Sequence, residues 1–314
     1  MTVSRFGRVL QAMRKDYGFT QEELGKIIHA DRFKIARIEK GERNIVQPDE
    51  LRNLAMAFNL TTLEKREFFA LGIEQGELHE DTLLSKQFAS AKEQYSYLVS
   101  KIGNMQNPAV IADAVGDIIA FNQTIYNLFP FSDELLREIQ TSRDDATARN
   151  LMRYVFDETF GFKDRLDRDQ WERVIKYNVA VLRAISLRHR GDEDFKRIYR
   201  DLITLKKFEL FPSFWNSSKE QEILENSDLA QMSNRRYSIT YEAKGKKQVI
   251  EYCTETTTTV TDCGGLYLIV YIALNAETAR LFIDLSQGNK SIELFKNYDA
   301  WYAKRVGNNL SATT

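Results

Sequence analysis

At 314 residues, with 43% hydrophobic and 28% charged side chains, the chain is long enough for two packed domains. Its 44 Lys and Arg balance 45 Asp and Glu to a net charge of −1, so no overall field draws it onto nucleic acid or membrane. Any nucleic-acid site has to be a local patch.

The first helical pattern places Phe6, Val9, Leu10, Met13 and Tyr17 on one face. The stretch TQEELGKIIHADRFKIARIEKGERN, residues 20–44, then packs two short helices around a tight break. Thr20 with Glu23 forms a capping box, and Leu24, Ile27 and Ile28 point inward, while Gly25 allows another helix to approach closely. Asp31 is a second N-cap, Ile35 and Ile38 face inward, and Gly41 stops the helix. Pro48 opens a fourth helix with Leu51, Leu54, Ala55 and Phe58 inward, and Leu63, Phe68 and Leu71 mark a fifth. The expectation is an all-α bundle over 1–73.

Left exposed on the third helix are Arg32, Phe33, Ala36, Arg37 and Lys40, with Lys34 on the flank and Arg43 just beyond. Arginine can bind guanine O6 and N7 in bidentate fashion, and lysine can hold phosphates. Any surface helix carries charge. A cap, a glycine, an inward pair and a basic face at helix-turn-helix spacing together point to DNA. The segment resembles the helix-turn-helix core of the XRE (Cro/repressor-like) family, with Thr20, Gln21, Leu24, Ile35, Arg37, Ile38, Glu39 and Gly41 in register. By that resemblance Gln21 contacts DNA, and Arg32, Phe33 and Arg37 occupy base-reading positions; Lys34 and Arg43 join the candidate DNA contacts from the basic face itself. Phe33 departs from the small polar residues usual there; it either touches a thymine methyl or packs on a neighbour.

Residues 74–106 read as a connector. Leu84, Phe88, Ala91, Tyr95, Leu98 and Ile102 form a heptad-like seam, open to two readings: a self-pairing helix holding a homodimer, or a helix packed on its own domain. Helix-turn-helix proteins commonly bind two half-sites as dimers, so a homodimer is the default.

From 107 onward PAVIADAVGDIIAFN reads as a hairpin, helical patterns follow over about 122–225, and three strands come after: RRYSITYEA, KQVIEYCTETTTTV and LYLIVYIAL. The threonine run suits a strand without further explanation. The expectation is an α+β domain over 107–314 with a five-stranded antiparallel sheet, closed by a helical stretch near 276–306. This part resembles the ligand-binding domain of MmyB-like transcription regulators. The family's Trp-Asn pair is here Phe121-Asn122, its Arg-Asn pair Arg149-Asn150, its helix tryptophan Trp171, its Leu-Arg pair Leu182-Arg183, and its Phe-x-x-Trp element is compressed to Phe214-Trp215. The family's His-Pro before a glycine-turn hairpin is absent.

The resemblance implies a PAS-like domain with a pocket for a small apolar molecule, a fatty acid or similar acyl ligand. Its candidate contacts are Phe121, Asn122, Arg149, Asn150, Phe156, Trp171, Arg183 and Trp215, with Arg149 and Arg183 as partners for an acid. The bland alternatives are core aromatics and an internal salt bridge.

Catalysis finds no support. His29, His79 and His189 have no metal spacing, and no P-loop, dinucleotide fingerprint or nucleophile elbow occurs. The most apolar run, GGLYLIVYIAL at 264–274, falls short of the ~20 residues of a spanning helix. MTVSRFGRVL lacks the apolar core of a secretory signal. Cys253 and Cys263 make no disulfide framework. A cytoplasmic, non-enzymatic transcription regulator is expected, with double-stranded operator DNA and a small apolar ligand as partners, no membrane partner and no other cofactor. The alternative is a regulator that senses a protein partner, or redox state through the two cysteines.

Overall fold

The computed structural model describes residues 4–42, 46–73, 88, 90–129, 131–142, 145–217, 237–243, 246–261, 264–287 and 292–303. Arg43, Leu84 and Cys263 lie outside them.

The N-terminal domain holds five helices: α1 (Arg5–Asp16), α2 (Gln21–Ile27), α3 (Arg32–Lys40), α4 (Pro48–Ala57) and α5 (Thr62–Ile73). Short-range chemistry places their ends. The Thr20 hydroxyl accepts from the Glu23 amide while the Glu23 carboxylate receives the Thr20 amide, closing the box that starts α2. The Asp31 carboxylate accepts from the Lys34 amide at 2.7 Å, and Gly41 ends α3 at φ 73°. Phe6, Leu10, Met13, Leu24, Ile35, Ile38, Leu54, Phe58 and Phe68 form the shared core. Ile27, expected to face inward, is exposed; α2 is only seven residues long and its apolar stripe ends at Leu24 and Ile28. Gly7 lets α1 lie directly on the end of α3, where an added Cβ would meet the Ile38 carbonyl oxygen at 2.5 Å.

The C-terminal domain is α+β. Its strands are β1 (Ala109–Asp113), β2 (Ile118–Asn122), β3 (Tyr237–Ala243), β4 (Lys246–Thr261), β5 (Gly264–Ala273) and β6 (Ile292–Leu294). They form one antiparallel sheet in the order β3-β4-β5-β1-β2-β6. The sheet thus has six strands, not five. The stretch read as one closing helix is instead α13 (Ala276–Ser286), strand β6 against β2, and a helical segment at 298–303. Lys296 decides this return: buried, its ammonium donates to Asp117 at 2.6 Å and lies 3.6 Å from Asp113, pinning the chain to the β1–β2 hairpin.

Both faces of the sheet are covered over β1, β2 and β5, while Thr240 and Glu242 of β3 and Val249 and Glu251 of β4 are exposed; side chains alternate across it. On one face Ala109, Ile111, Leu266 and Leu268 pack under α6 (Ala91–Gly103), whose Tyr95, Leu98 and Ile102 meet Trp301. The connector seam is therefore consumed within the chain: Tyr95, Leu98 and Ile102 are buried on their own sheet and offer no face for pairing two chains. Burial raises the Tyr95 pKa to about 12, and its hydroxyl donates to the Lys296 carbonyl. The other face carries α7 (Gln123–Leu128), α8 (Asp133–Thr141), α9 (Leu151–Phe156), α10 (Arg168–Ile185), α11 (Glu193–Thr204) and α12 (Phe211–Ser217).

The two domains meet at a buried ion triad. Glu64 on α5 is 0% exposed; Arg183 on α10 donates to it through Nε at 2.9 Å and Nη2 at 3.0 Å, and Arg190 through Nη2 at 2.6 Å. Arg183 Nη1 also donates to the Trp215 carbonyl at 2.7 Å, and both guanidinia lie over the Trp215 ring, 5.4 and 5.6 Å from its centroid. The 3-10 turn Leu187–His189 follows α10, and Leu187 inserts into the helical core of the N-terminal domain. Burial works to raise the Glu64 pKa, but the charges of Arg190 and Arg183, their hydrogen bonds and the Thr61 amide hold it below its ordinary 4.5.

Two outcomes follow. Glu64→Ala leaves two buried guanidinia without their carboxylate and should cost about 3–5 kcal/mol in chemical denaturation. Because the folded-state pKa is depressed, the stability that Glu64 contributes is complete above its ordinary 4.5 and is lost as pH falls below it. The stability gap between wild type and Glu64→Gln should accordingly stay flat from about pH 8 to 5.5 and shrink below about 4.5; a gap independent of pH would show that the carboxylate charge is not what joins the domains.

Candidate nucleic-acid interface and ligand cavity

Glu39 organises the DNA-facing side of the bundle from beneath. Its buried carboxylate receives Arg14 Nε at 2.5 Å and Nη2 at 3.1 Å, and the Gln21 side-chain amide at 2.8 Å. This pins the start of α2 to α3, so the expected Gln21 contact arises from a residue whose rotamer is already fixed. Above it, Arg32, Phe33, Arg37 and Lys40 are exposed. Phe33, 60% exposed, lies under the Arg32 guanidinium at 4.8 Å, so it packs on its neighbour and stiffens that arginine at the start of the helix. Lys34 is placed differently from expectation. Its ammonium pairs with Glu50, the residue that caps α4, which removes it from the set of open phosphate contacts. Lys40 and Lys26 are exposed, and among the described residues Lys26 pairs with exposed Glu22.

In the C-terminal domain a cavity of about 100 Å³ lies between the sheet and the helices α9 and α10. Its floor is the sheet: Val110 and Ala112 of β1, Thr254 and Thr256 of β4, and Tyr267, Ile269 and Tyr271 of β5. Register explains the set, because Thr254 opposes Tyr271 and Thr256 opposes Ile269 across the β4–β5 ladder. Its roof is one face of α10, made by Val174, Tyr177, Asn178, Val181, Leu182 and Ile185, with Met152 and Tyr154 of α9. Phe129 and Phe162 close one end. Six tyrosines reach the lining, and no charged residue does among those described. Burial holds the phenols of Tyr154, Tyr252, Tyr267 and Tyr271 far above the usual range, so all four are neutral donors or acceptors. Two larger depressions, of about 550 and 500 Å³, are surface sites edged by lysines and acids such as Asp145, Glu158, Lys206 and Lys207. They do not suit an apolar ligand.

None of the eight ligand contacts expected from sequence lines this cavity. Asn122 is a joint: its side chain caps α7, accepts from the Ala109 amide and donates to the carbonyls of Ile102, Met105 and Asn107. Asn150 likewise caps α9 and donates to the Val115 carbonyl and Asp117. Phe121 packs on Phe131 and Phe295, and Arg149 borders a void of about 10 Å³, room for a water at most. Trp171 donates to the Val155 carbonyl and, with Phe156, edges one surface depression. Arg183 and Trp215 belong to the domain junction. The signal that could have found the cavity is the tyrosine alternation of LYLIVYIAL beside the threonine run, polar atoms on a strand too apolar to face water. Cys253 is buried in β4. No helix among the described residues is long and apolar enough to cross a membrane.

A compact helix-turn-helix with an open basic face, rigidly joined to an α+β domain around an apolar cavity, defines a ligand-responsive regulator of transcription. Comparison with known families gives the same division: residues 5–68 match a helix-turn-helix domain, and residues 102–226 match the MmyB-like transcription regulator ligand binding domain. The chain is a helix-turn-helix regulator with an MmyB-like ligand-binding domain, and neither matched family is enzymatic. No curated protein matches it significantly.

For the DNA face, Arg32→Ala and Arg37→Ala should each cost about 1–3 kcal/mol on an operator selected from randomised DNA and relax preference at one base position. Lys40→Ala should weaken binding to all sequences alike and reduce the salt slope by about 0.9. Titrations in which both arginine variants bind like wild type would remove α3 from the role of recognition helix.

Proposed function

We propose that the chain is a one-component transcription regulator whose operator binding is set by a small, fatty-acid-like ligand held in the tyrosine-lined cavity. One observation carries this reading: α10 is at once the roof of the cavity and the anchor of the DNA-binding domain. Leu182 faces the cavity and the adjacent Arg183 holds Glu64. A ligand that displaces the roof displaces Arg183 with it, and Leu187 beyond.

Size narrows the ligand. A water-sized group occupies roughly 10–15 Å³ on this measure, so about 100 Å³ admits about seven to ten heavy atoms. An acyl chain of about eight carbons fits the cavity as it stands; a chain of eighteen must push α10 outward or emerge. The lining is apolar apart from hydroxyls and one amide, which favours a hydrocarbon body over a sugar or nucleotide.

The docked arrangement leaves Arg32, Phe33 and Arg37 exposed, so the ligand does not work by covering or uncovering the recognition helix. It acts on where that helix is held. If two copies bind one operator, a small displacement of α10, with the DNA-binding domain carried on it through Glu64, changes the separation of their recognition helices, to which half-site geometry is sensitive. The ligand shifts operator affinity only by as much as it prefers one placement over the other.

Delipidated protein should melt at higher temperature with medium-chain fatty acids, the gain growing by about 0.8 kcal/mol per methylene until the cavity is full at about eight carbons. Val181→Trp, which fills the cavity from α10, should abolish the shift while leaving operator binding in place. No shift with any chain from about eight to eighteen carbons, the span of single-chain lipids, would exclude this ligand class.

A further inference from the structure

Among the described residues the cavity lining contains no cation, and one arginine beside it has no acidic partner. Arg165 ends the 3-10 turn Lys163–Arg165, three residues beyond the wall residue Phe162, whose carbonyl accepts from its amide at 3.2 Å. Its guanidinium lies over the Phe129 ring, 5.3 Å from the centroid, and Nη1 donates to the Leu128 carbonyl at 2.8 Å. No carboxylate pairs with it among the described residues, unlike buried Arg153, which meets Glu138 and Asp157, or Arg183, which meets Glu64. Arg165 is half-buried, and that burial lowers its pKa; the groups whose charges register there are the phenols of Tyr241 and Tyr154.

Tyr154 supplies the second half of the observation. Its ring lines the cavity and packs edge-on against Phe129 at 6.3 Å, so phenol and guanidinium flank the same wall ring. Its hydroxyl is fully buried and has no hydrogen-bond partner among the described residues. A buried hydroxyl left unsatisfied and a half-buried guanidinium left uncompensated are each unfavourable alone. Both groups pack on Phe129, a wall residue of the apolar cavity, and a carboxylate bound beside that ring would satisfy both by accepting from the hydroxyl and from the planar N–H fork.

We propose that Arg165 is the counter-charge for the ligand's headgroup: the ligand is an apolar monocarboxylic acid whose body fills the cavity and whose carboxylate pairs with Arg165 and accepts from the Tyr154 hydroxyl. This rests on the reading of the cavity as the ligand site. It replaces Arg149 and Arg183, the cations expected from sequence, with one that the fold brings to the cavity end. It also makes the site selective, since an alcohol or ester of equal length satisfies Tyr154 and leaves Arg165 unpaired.

The test is calorimetric titration of the delipidated full-length protein with octanoate, 1-octanol and methyl octanoate. Octanoate should bind wild type at least tenfold more tightly than the two neutral probes. Arg165→Gln should remove that advantage while its binding of 1-octanol stays as in wild type, which also shows that the variant is folded; Arg165→Lys should restore part of it. Equal binding of octanoate and 1-octanol by wild type, or octanoate binding unchanged in Arg165→Gln, would overturn the assignment of Arg165 while leaving the cavity as the site. Binding of all three probes that survives Val181→Trp, or no binding of any, would overturn the cavity reading itself and the assignment with it.

Discussion

Glu64, one carboxylate closed off from water between two guanidinia, ties the DNA-binding bundle to the ligand-binding domain. Such a group tolerates little displacement, because separating the ions by an ångström or two in a low-dielectric junction leaves each one desolvated and poorly paired. The surplus positive charge of Arg183 and Arg190 is spread over the Trp215 ring and over the carbonyls of Trp215 and Arg183. Arg188 and Glu67 at 3.2 Å and Leu187 in the bundle core complete the joint. At Gly191 an added Cβ would lie 3.1 Å from that of Arg8, so the backbones meet there as well. The two domains therefore move together or separate; the junction has no soft intermediate.

That constraint gives the cavity its consequence. Beneath it, β1 and β5 are backed by α6 and Trp301, and that part of the sheet cannot yield without breaking a second core. The roof is a single helix, and α10 meets the cavity on one side and Glu64 on the next. Volume added to the cavity is taken up at α10, where it reaches the DNA-binding domain through one side chain. The recognition face stays open throughout, so regulation through this path alters geometry and not access.

Much of the DNA-binding half was legible in the sequence because its signals are local. The Thr20–Glu23 box, the Asp31 cap and the Gly41 stop each act over three or four residues, and the structure has all three. The α+β class was legible from alternation and turns, while β6 was not, being three residues whose pairing depends on buried Lys296 reaching Asp117 across 179 positions. The same distance problem hid the junction. Arg183 and Glu64 are 119 residues apart, and an arginine in a family motif beside apolar residues reads equally well as a ligand contact or a salt bridge. Asn122 and Asn150 cap helices and join strands away from the cavity, roles that leave the same mark on one sequence as binding does. The cavity tyrosines looked like strand formers, because their function depends on which side of a two-faced sheet each occupies.

The most direct test is the coupling between ligand and operator, measured as the ratio of operator affinities with and without saturating octanoate, in wild type and in Glu64→Gln. The account predicts a clear ratio in wild type, five-fold or more as is common for coupled sites. It predicts a ratio near one in Glu64→Gln, with octanoate and operator each still bound. A ratio that is unchanged when the Glu64 charge is removed would contradict the account, because ligand and DNA would then communicate by a path that does not pass through α10 and the buried triad.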